Sequence, residues 1–230
     1  MKKIGLVGGI SWVSTVDYYK YINEGVNERL GGTEFAQLLI HSLNYGEVRR
    51  NGDAGRWDDT LKLVLDAVNN MKQGGAEAIL LCANTMHLLA DKIEAGGGLP
   101  VIHIAKETAK KIAHQQLQKV ILLGTKFTME MDFFKDKLRE QGIETVIPEA
   151  EDRAFIHHTI FEELGRNLVL PATKERYLSI IGKLQKEGAQ GVILGCTEIP
   201  LLISQEDLAV PAFDTTRIHA NAAIDFILQS

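Results

Sequence analysis

The stretch Gly75–Thr85 reads Gly-Ala-Glu-Ala-Ile-Leu-Leu-Cys-Ala-Asn-Thr, and 113 residues further on Gly188–Glu198 reads Gly-Ala-Gln-Gly-Val-Ile-Leu-Gly-Cys-Thr-Glu. Each is a Gly-Ala turn, an apolar run of strand length, and small polar residues where the run ends. Unbroken apolar runs of this length suit strands buried on both faces, as in a parallel sheet. The two copies align without a gap and differ at one informative position. Cys196 in the second meets Ala83 in the first, where the cysteine, Cys82, comes one place early.

The repetition extends outward in both directions. Lys3–Gly9 returns as Lys119–Thr125, with Gly8 over Gly124, and Asp17-Tyr18-Tyr19 returns as Asp132-Phe133-Phe134. Leu99–His103 returns as Val210–Asp214, with Pro100 over Pro211. Four segments in one order at nearly constant shift predict a duplicated α/β unit. The expected architecture is two pseudo-symmetric domains, each a small, mostly parallel sheet flanked by helices. The chain is expected to cross over after each proline-containing strand, with residues 1–100 plus about 212–230 as the first domain and 101–211 as the second. Within the first domain, helices are predicted from Ser11, Ser14 and Thr15 as caps to a stop at Gly31-Gly32, over 58–73, and from Met86 to Ala95. Strands are predicted at Phe35–His41 and Ile79–Ala83, and Asn44–Asp58, with three glycines, reads as a polar loop able to serve as a lid.

Composition narrows the function classes. A 45% hydrophobic and 24% charged chain of 230 residues is of ordinary globular type. Its net charge of −5 is spread along the whole length without a basic stripe, which argues against a nucleic-acid partner. No apolar run approaches the roughly 20 residues of a membrane span, and Ile4–Ile10, with three glycines, reads as a strand instead of a signal peptide. Two cysteines inside apolar runs make no disulfide framework, so the expected location is the cytoplasm.

In open parallel sheets, ligands gather beyond the carboxyl ends of the strands. Those ends carry Ser11, Asn84-Thr85, Thr125 and Cys196-Thr197-Glu198. Asn84, Thr85, Thr125 and Thr197 are short donors suited to a carboxylate. A thiol near a helix N-terminus has its pKa lowered, which would make Cys196 a usable base. Cys82, one residue off that position, points to the other face of its strand and reads as core. Glu198 either orients a neighbour or caps the next turn.

These residues also carry a resemblance. Gly8-Gly9-Ile10-Ser11-Trp12, Asn84-Thr85-Met86-His87 and Gly195-Cys196-Thr197-Glu198-Ile199, in this order, make the chain similar over its whole length to the aspartate/glutamate racemase family. The resemblance implies a substrate held between the two domains, a homodimer, no cofactor such as pyridoxal phosphate, and two cysteines acting on opposite faces of the substrate Cα. One thiolate would remove the proton while the other thiol returns one. The family's first cysteine stands immediately before Asn-Thr, and here that residue is Ala83. The internal repeat identifies the same position without the family. Three readings follow. Cys82 swings in as a substitute, Thr85 or a water acts as a poor partner, or the alanine is an engineered replacement.

The expected function is therefore cofactor-independent racemisation or epimerisation of aspartate, glutamate or a related amino acid, slow or one-sided through Ala83. The alternatives are a single-cysteine malonate-type decarboxylase on the same scaffold and a catalytically degenerate dicarboxylate-binding protein. Arg49, in the 44–58 loop, is the candidate clamp for a side-chain carboxylate, with Arg50, Lys174 and Arg176 as further cations. The histidines show no metal-ligand spacing. Val7–Ser11 fits neither a dinucleotide nor a Walker loop, so neither metal nor nucleotide is expected.

Overall fold

In the computed structural model, which describes residues 1–229, the apolar run after Lys3 forms β1 (Ile4–Gly8), buried along its whole length. Contact density divides the chain into two units, Met1–His103 with the residues from His219 on, and Ile104–Ile218. In unit 1, β1 is followed by α1 (Trp12–Leu30), β2 (Leu38–Ser42), α2 (Tyr45–Asp53), α3 (Trp57–Gln73), β3 (Ala78–Leu81), α4 (Ala90–Gly97) and β4 (Val101–Ile102). In unit 2 the order is α5 (Ile104–His114), β5 (Lys119–Gly124), α6 (Lys126–Glu130), α7 (Asp132–Arg139), β6 (Glu144–Val146), α8 (Ala150–Glu162), α9 (Pro171–Lys186), β7 (Gly191–Gly195) and β8 (Ala212–Asp214). The last helix, α10 (Thr215–Leu228), begins in unit 2 and from His219 onward belongs to unit 1.

Each unit holds one four-stranded, all-parallel sheet, ordered β2-β1-β3-β4 in unit 1 and β6-β5-β7-β8 in unit 2. The two sheets are the same design, as the repeat requires. The unit boundaries fall after His103, just past β4, and after Ile218, within α10, instead of at 100/101 and 211/212. Both proline-led strands are held by their own sheets, Val101 opposite Ile79 and Phe213 opposite Ile193.

Alternation along the strands builds a core layer on each sheet face. In unit 1, Val7, Ile79 and Leu81 pack with Val64, Val68 and Met71 of α3 and Ile93 of α4. Ile4, Leu6, Ala78, Leu80 and Cys82 face the other way, onto Tyr18, Ile22 and Val26 of α1 and Ala223, Ile224 and Ile227 of α10. Unit 2 repeats this with Ile121, Leu123, Val192 and Leu194 on α8 and α9, and with Val120, Leu122 and Ile193 on α5 and α7. Each fully buried Leu or Ile here contributes roughly 1.5–3 kcal/mol, so truncating Leu80 to Ala would cost about 2–5 kcal/mol once the cavity is included.

The turn from β1 into α1 is set by two glycines and a threonine. Gly9 sits at φ +81°, a region that disfavours any side chain. A Cβ on Gly8 would meet Thr15 Cγ2 at 2.4 Å. Thr15 Oγ1 accepts from Gly9 N at 2.9 Å and donates to the Ser11 carbonyl at 3.0 Å, while Ser11 caps α1 by accepting from Ser14 N.

Three local expectations change. Residues 45–53 of the expected polar loop form a helix, α2: Asn44 caps it by accepting from Gly46 N at 3.0 Å, and Val48 and Asn51 are buried beneath it. Gly46 and Gly52 each lower helix propensity by about 1 kcal/mol, which hid the helix from a propensity reading. The expected strand Ile79–Ala83 stops at Leu81. The expected helix from Met86 is a 3-10 turn, Asn84–Leu89, that leads into α4.

Candidate active site

In unit 2, β7 ends at Gly195 and the chain passes through Cys196, Thr197 and Glu198 into a three-residue 3-10 turn at Ile199–Leu201. A Cβ on Gly195 would lie 2.4 Å from the Leu123 carbonyl oxygen of β5, so only glycine lets the strands stay this close just before the cysteine. Cys196 is partly buried against the layer that contains Leu123 and Leu194. Its Sγ–H donates to Glu198 Oε2 at 2.9 Å, and Thr197 Oγ1–H donates to the same oxygen at 2.7 Å.

That geometry corrects the expected thiol chemistry. Burial pushes the Cys196 pKa well above its ordinary value, and the Glu198 carboxylate beside it pushes in the same direction. The lowering expected from a helix N-terminus does not prevail, because the element that follows is a single short turn with little dipole to offer. At neutral pH Cys196 is a protonated thiol aimed at a carboxylate oxygen. Such a pair can give a proton, or take one after Glu198 has accepted the thiol's own. Of the two readings of Glu198, the contacts are those of an orienting partner; its side chain makes no capping hydrogen bond to the following turn.

The neighbouring strand end adds Thr125. Gly124 pairs with Gly195 in the ladder, so Thr125 follows immediately beside Cys196, buried and capping α6 by accepting from Thr128 N at 3.3 Å. The end of β8 contributes a residue that sequence reasoning missed. Asp214 lies opposite Leu194, and its pKa is raised by burial against the lowering effect of the Arg217 and Thr216 amides its Oδ1 accepts from. The signal available in the sequence was an Asp at a strand end directly before Thr-Thr, a helix-start pattern.

Unit 1 presents the matching strand end without the chemistry. In its ladder Leu81 is opposite Val7, as Leu194 is opposite Leu123 in unit 2. Counting two residues on from each, Ala83 occupies in its sheet the place that Cys196 occupies in the other. The Ala83 backbone is extended (φ −155°, ψ 135°) and the residue packs against the layer that holds Val7 and Leu81. Asn84, buried, and Thr85, half-buried, open the 3-10 turn that follows. Cys82 does not join them. Its amide donates to the Val7 carbonyl at 3.0 Å, which keeps it in strand geometry, and its side chain is buried with Ile4, Leu6 and Tyr18 on the other face. Burial pushes that thiol far up, so it has no support as the stand-in for Ala83.

The remaining candidates are less committed to one place. Ser11 is the cap of α1. Arg49 lies on α2, not in a loop, exposed and 3.8 Å from Asp53. Lys174 is paired with Asp207 at 2.7 Å and Arg176 with Glu151 and Asp152 at 3.3 Å, so both are already engaged.

Two parallel α/β units of one design, one ending in a thiol–carboxylate pair and the other in Ala-Asn-Thr, define a duplicated, cysteine-based class of α/β protein. Residues 7–223 match the family model for Asp/Glu/Hydantoin racemases, and the chain belongs to that family. A crystal structure of a candidate Asp/Glu racemase from Yersinia pestis is 43% identical over 100% of both chains, with a TM-score of 0.95. An aspartate racemase homologue from Pyrococcus horikoshii OT3 is 37% identical over 100% of both chains, with a TM-score of 0.88. Among curated proteins, a broad specificity amino-acid racemase from Bacillus subtilis is 21% identical over 171 residues, 74% of each chain. Racemase chemistry on a small amino-acid substrate is the activity this family supports.

Proposed function

We propose that the protein is a cofactor-independent racemase or epimerase of aspartate, glutamate or a related amino acid, in which Cys196 and Glu198 carry the proton transfer and the Ala83 side is chemically weak. The observation that carries this reading is the 2.9 Å Cys196–Glu198 contact at the end of β7. Glu198 accepts the thiol proton, and the resulting thiolate takes the proton from the substrate Cα. The electron pair left on Cα delocalises into the substrate carboxylate, which Asn84, Thr85, Thr125 and Thr197 are suited to hold by hydrogen bonds. Return of a proton from the other side falls to water or Thr85, since a methyl group at Ala83 neither gives nor takes one. Turnover is then slow or one-sided.

Each unit acts as one domain, and Ser11 and Arg49 are further contacts to a dicarboxylate. The protein works in the cytoplasm as a homodimer. Support for self-association comes from Trp12, Val16 and Tyr19, which leave 72%, 53% and 52% of their surface exposed on one stripe of α1.

A second reading rests on the same protonated thiol, which also suits delivery of a proton to a carbanion left by decarboxylation of a substituted malonate. Incubation in D₂O with L- and D-aspartate and glutamate tests the first reading by deuterium incorporation at Cα. No incorporation with any amino acid overturns it, and carbon dioxide release from an aryl- or alkylmalonate would put the second in its place.

A further inference from the structure

Directly after the Ala83 position lies a cluster of histidines that the proposed chemistry does not use. His87, His103 and His219 are buried, at 2%, 5% and 0% exposure, and all belong to unit 1. The His87 ring centroid is 4.9 Å from that of His103 and 5.1 Å from that of His219. Among the described residues, no three His, Cys, Asp or Glu are gathered as a metal ion would require.

The backbone fixes two of the tautomers, because a carbonyl oxygen can only accept. His219 Nε2 lies 2.6 Å from the Ile102 carbonyl oxygen, so Nε2 carries the hydrogen, and Nδ1 accepts from Tyr18 OH at 2.8 Å. His87 Nδ1 lies 3.1 Å from the Ala83 carbonyl and 3.3 Å from that of Asn84, so here Nδ1 carries the hydrogen. Its Nε2 is buried and makes no hydrogen bond of good geometry, and the Ile102 carbonyl also acts on the ring. The ring therefore reaches back one turn and ties together the two carbonyls at which the extended chain enters the 3-10 turn. Those carbonyls bracket the point that sets where Asn84 and Thr85 are held. Burial, with His103 beside it, keeps the His87 pKa down at about 3, so the ring is neutral at physiological pH and the Nδ1–H form persists.

We infer that His87 is a positioning residue for the β3 end of unit 1: its Nδ1–H, donated to the Ala83 and Asn84 carbonyls, fixes the turn that presents Asn84 and Thr85 to the substrate carboxylate. The inference rests on the racemase reading only for the identity of what is presented. The tie itself is a property of the free protein.

Two substitutions separate this role from simple packing. An asparagine at 87 places its Nδ2 where the His Nδ1 was, while a glutamine places its Nε2 where the other ring nitrogen was. The experiment combines ¹⁵N-histidine NMR of the free protein, amide hydrogen exchange of residues 84–89, and Cα-deuteration kinetics with aspartate and glutamate for His87→Asn and His87→Gln. The expected result is an Nδ1–H tautomer for His87 and wild-type-like exchange and KM in H87N. In H87Q, segment exchange and KM should both rise about threefold to tenfold, with kcat little changed, the loss of one hydrogen bond of ordinary net strength. An Nε2–H tautomer, or H87N and H87Q altered to the same extent, overturns the inference. If the wild type deuterates no amino acid, the racemase reading fails, and the NMR and segment exchange still decide the role of His87.

Discussion

The segments Cys82-Ala83-Asn84-Thr85 and Gly195-Cys196-Thr197-Glu198 occupy the same place in two copies of one sheet, yet they hold different chemistry. In unit 2 the residue two past the ladder pair is a thiol bonded to a carboxylate oxygen at 2.9 Å. In unit 1 it is a methyl group, and the nearby thiol of Cys82 is turned into the core. Duplication preserves the frame because the frame is buried: a strand with both faces covered tolerates few changes of volume. The strand end lies outside that constraint, so one copy can keep acid–base groups while the other keeps only hydrogen-bond donors. On the proposed function, proton transfer falls to the strand end of unit 2, and the strand end of unit 1 is left with hydrogen-bond donors alone.

This division can be broken from either side. The largest effect is expected from Cys196→Ser, which removes the proton carrier. Cα deuteration should fall by about 10³-fold with little change in folding, as measured by exchange rate and circular dichroism. Glu198→Gln keeps the shape but removes the acceptor for the thiol proton. A loss of roughly 10²-fold in kcat is expected, with KM nearly unchanged, and an unaltered kcat would show that Glu198 is only a structural neighbour. Ala83→Cys should sharpen the comparison from the other side, raising inversion about tenfold without raising one-sided exchange to the same degree. The gain is smaller because no carboxylate equivalent to Glu198 follows Ala83: Asn84 and Thr85 stand in its place.

The smallest effect concerns stability. His87 has a folded-state pKa of about 3 against an ordinary 6.5, so between these values the unfolded chain binds a proton that the folded unit does not. The stability His87 contributes is thus present above pH 6.5 and is lost as pH falls toward 3. Melting temperature should drop by about 3–5 °C per pH unit across that window, and a flat profile would contradict the buried, neutral assignment.

Much of the frame was readable in the sequence because fully buried parallel strands are unbroken apolar runs, and β1, β3, β7 and all of β5 after Lys119 are of that kind. The duplication then located the Ala83–Cys196 mismatch, and simple alternation placed Cys82 in the core. What stayed hidden depends on contacts that no spacing announces. The α2 helix is stabilised by a cap and two buried side chains against the low propensity of its glycines. The Cys196–Glu198 bond is made across an irregular turn, two residues apart, where neither strand nor helix periodicity applies. The raised thiol pKa follows from burial and from that contact, and the lowering a helix N-terminus would give is missing because the element is a three-residue turn. The histidine cluster joins residues 87, 103 and 219, which only the return of α10 to unit 1 brings together.

The most direct test of the division between the units is isotope partitioning in D₂O. For each enantiomer of aspartate and glutamate, Cα deuteration is followed by NMR and inversion by chiral chromatography, in the wild type and in Ala83→Cys. The account predicts that the wild type deuterates one enantiomer much faster than the other and faster than it inverts either, and that Ala83→Cys brings the two enantiomers and the two rates closer together. Equal deuteration of both enantiomers by the wild type, accompanied by full inversion and unchanged in Ala83→Cys, would contradict it.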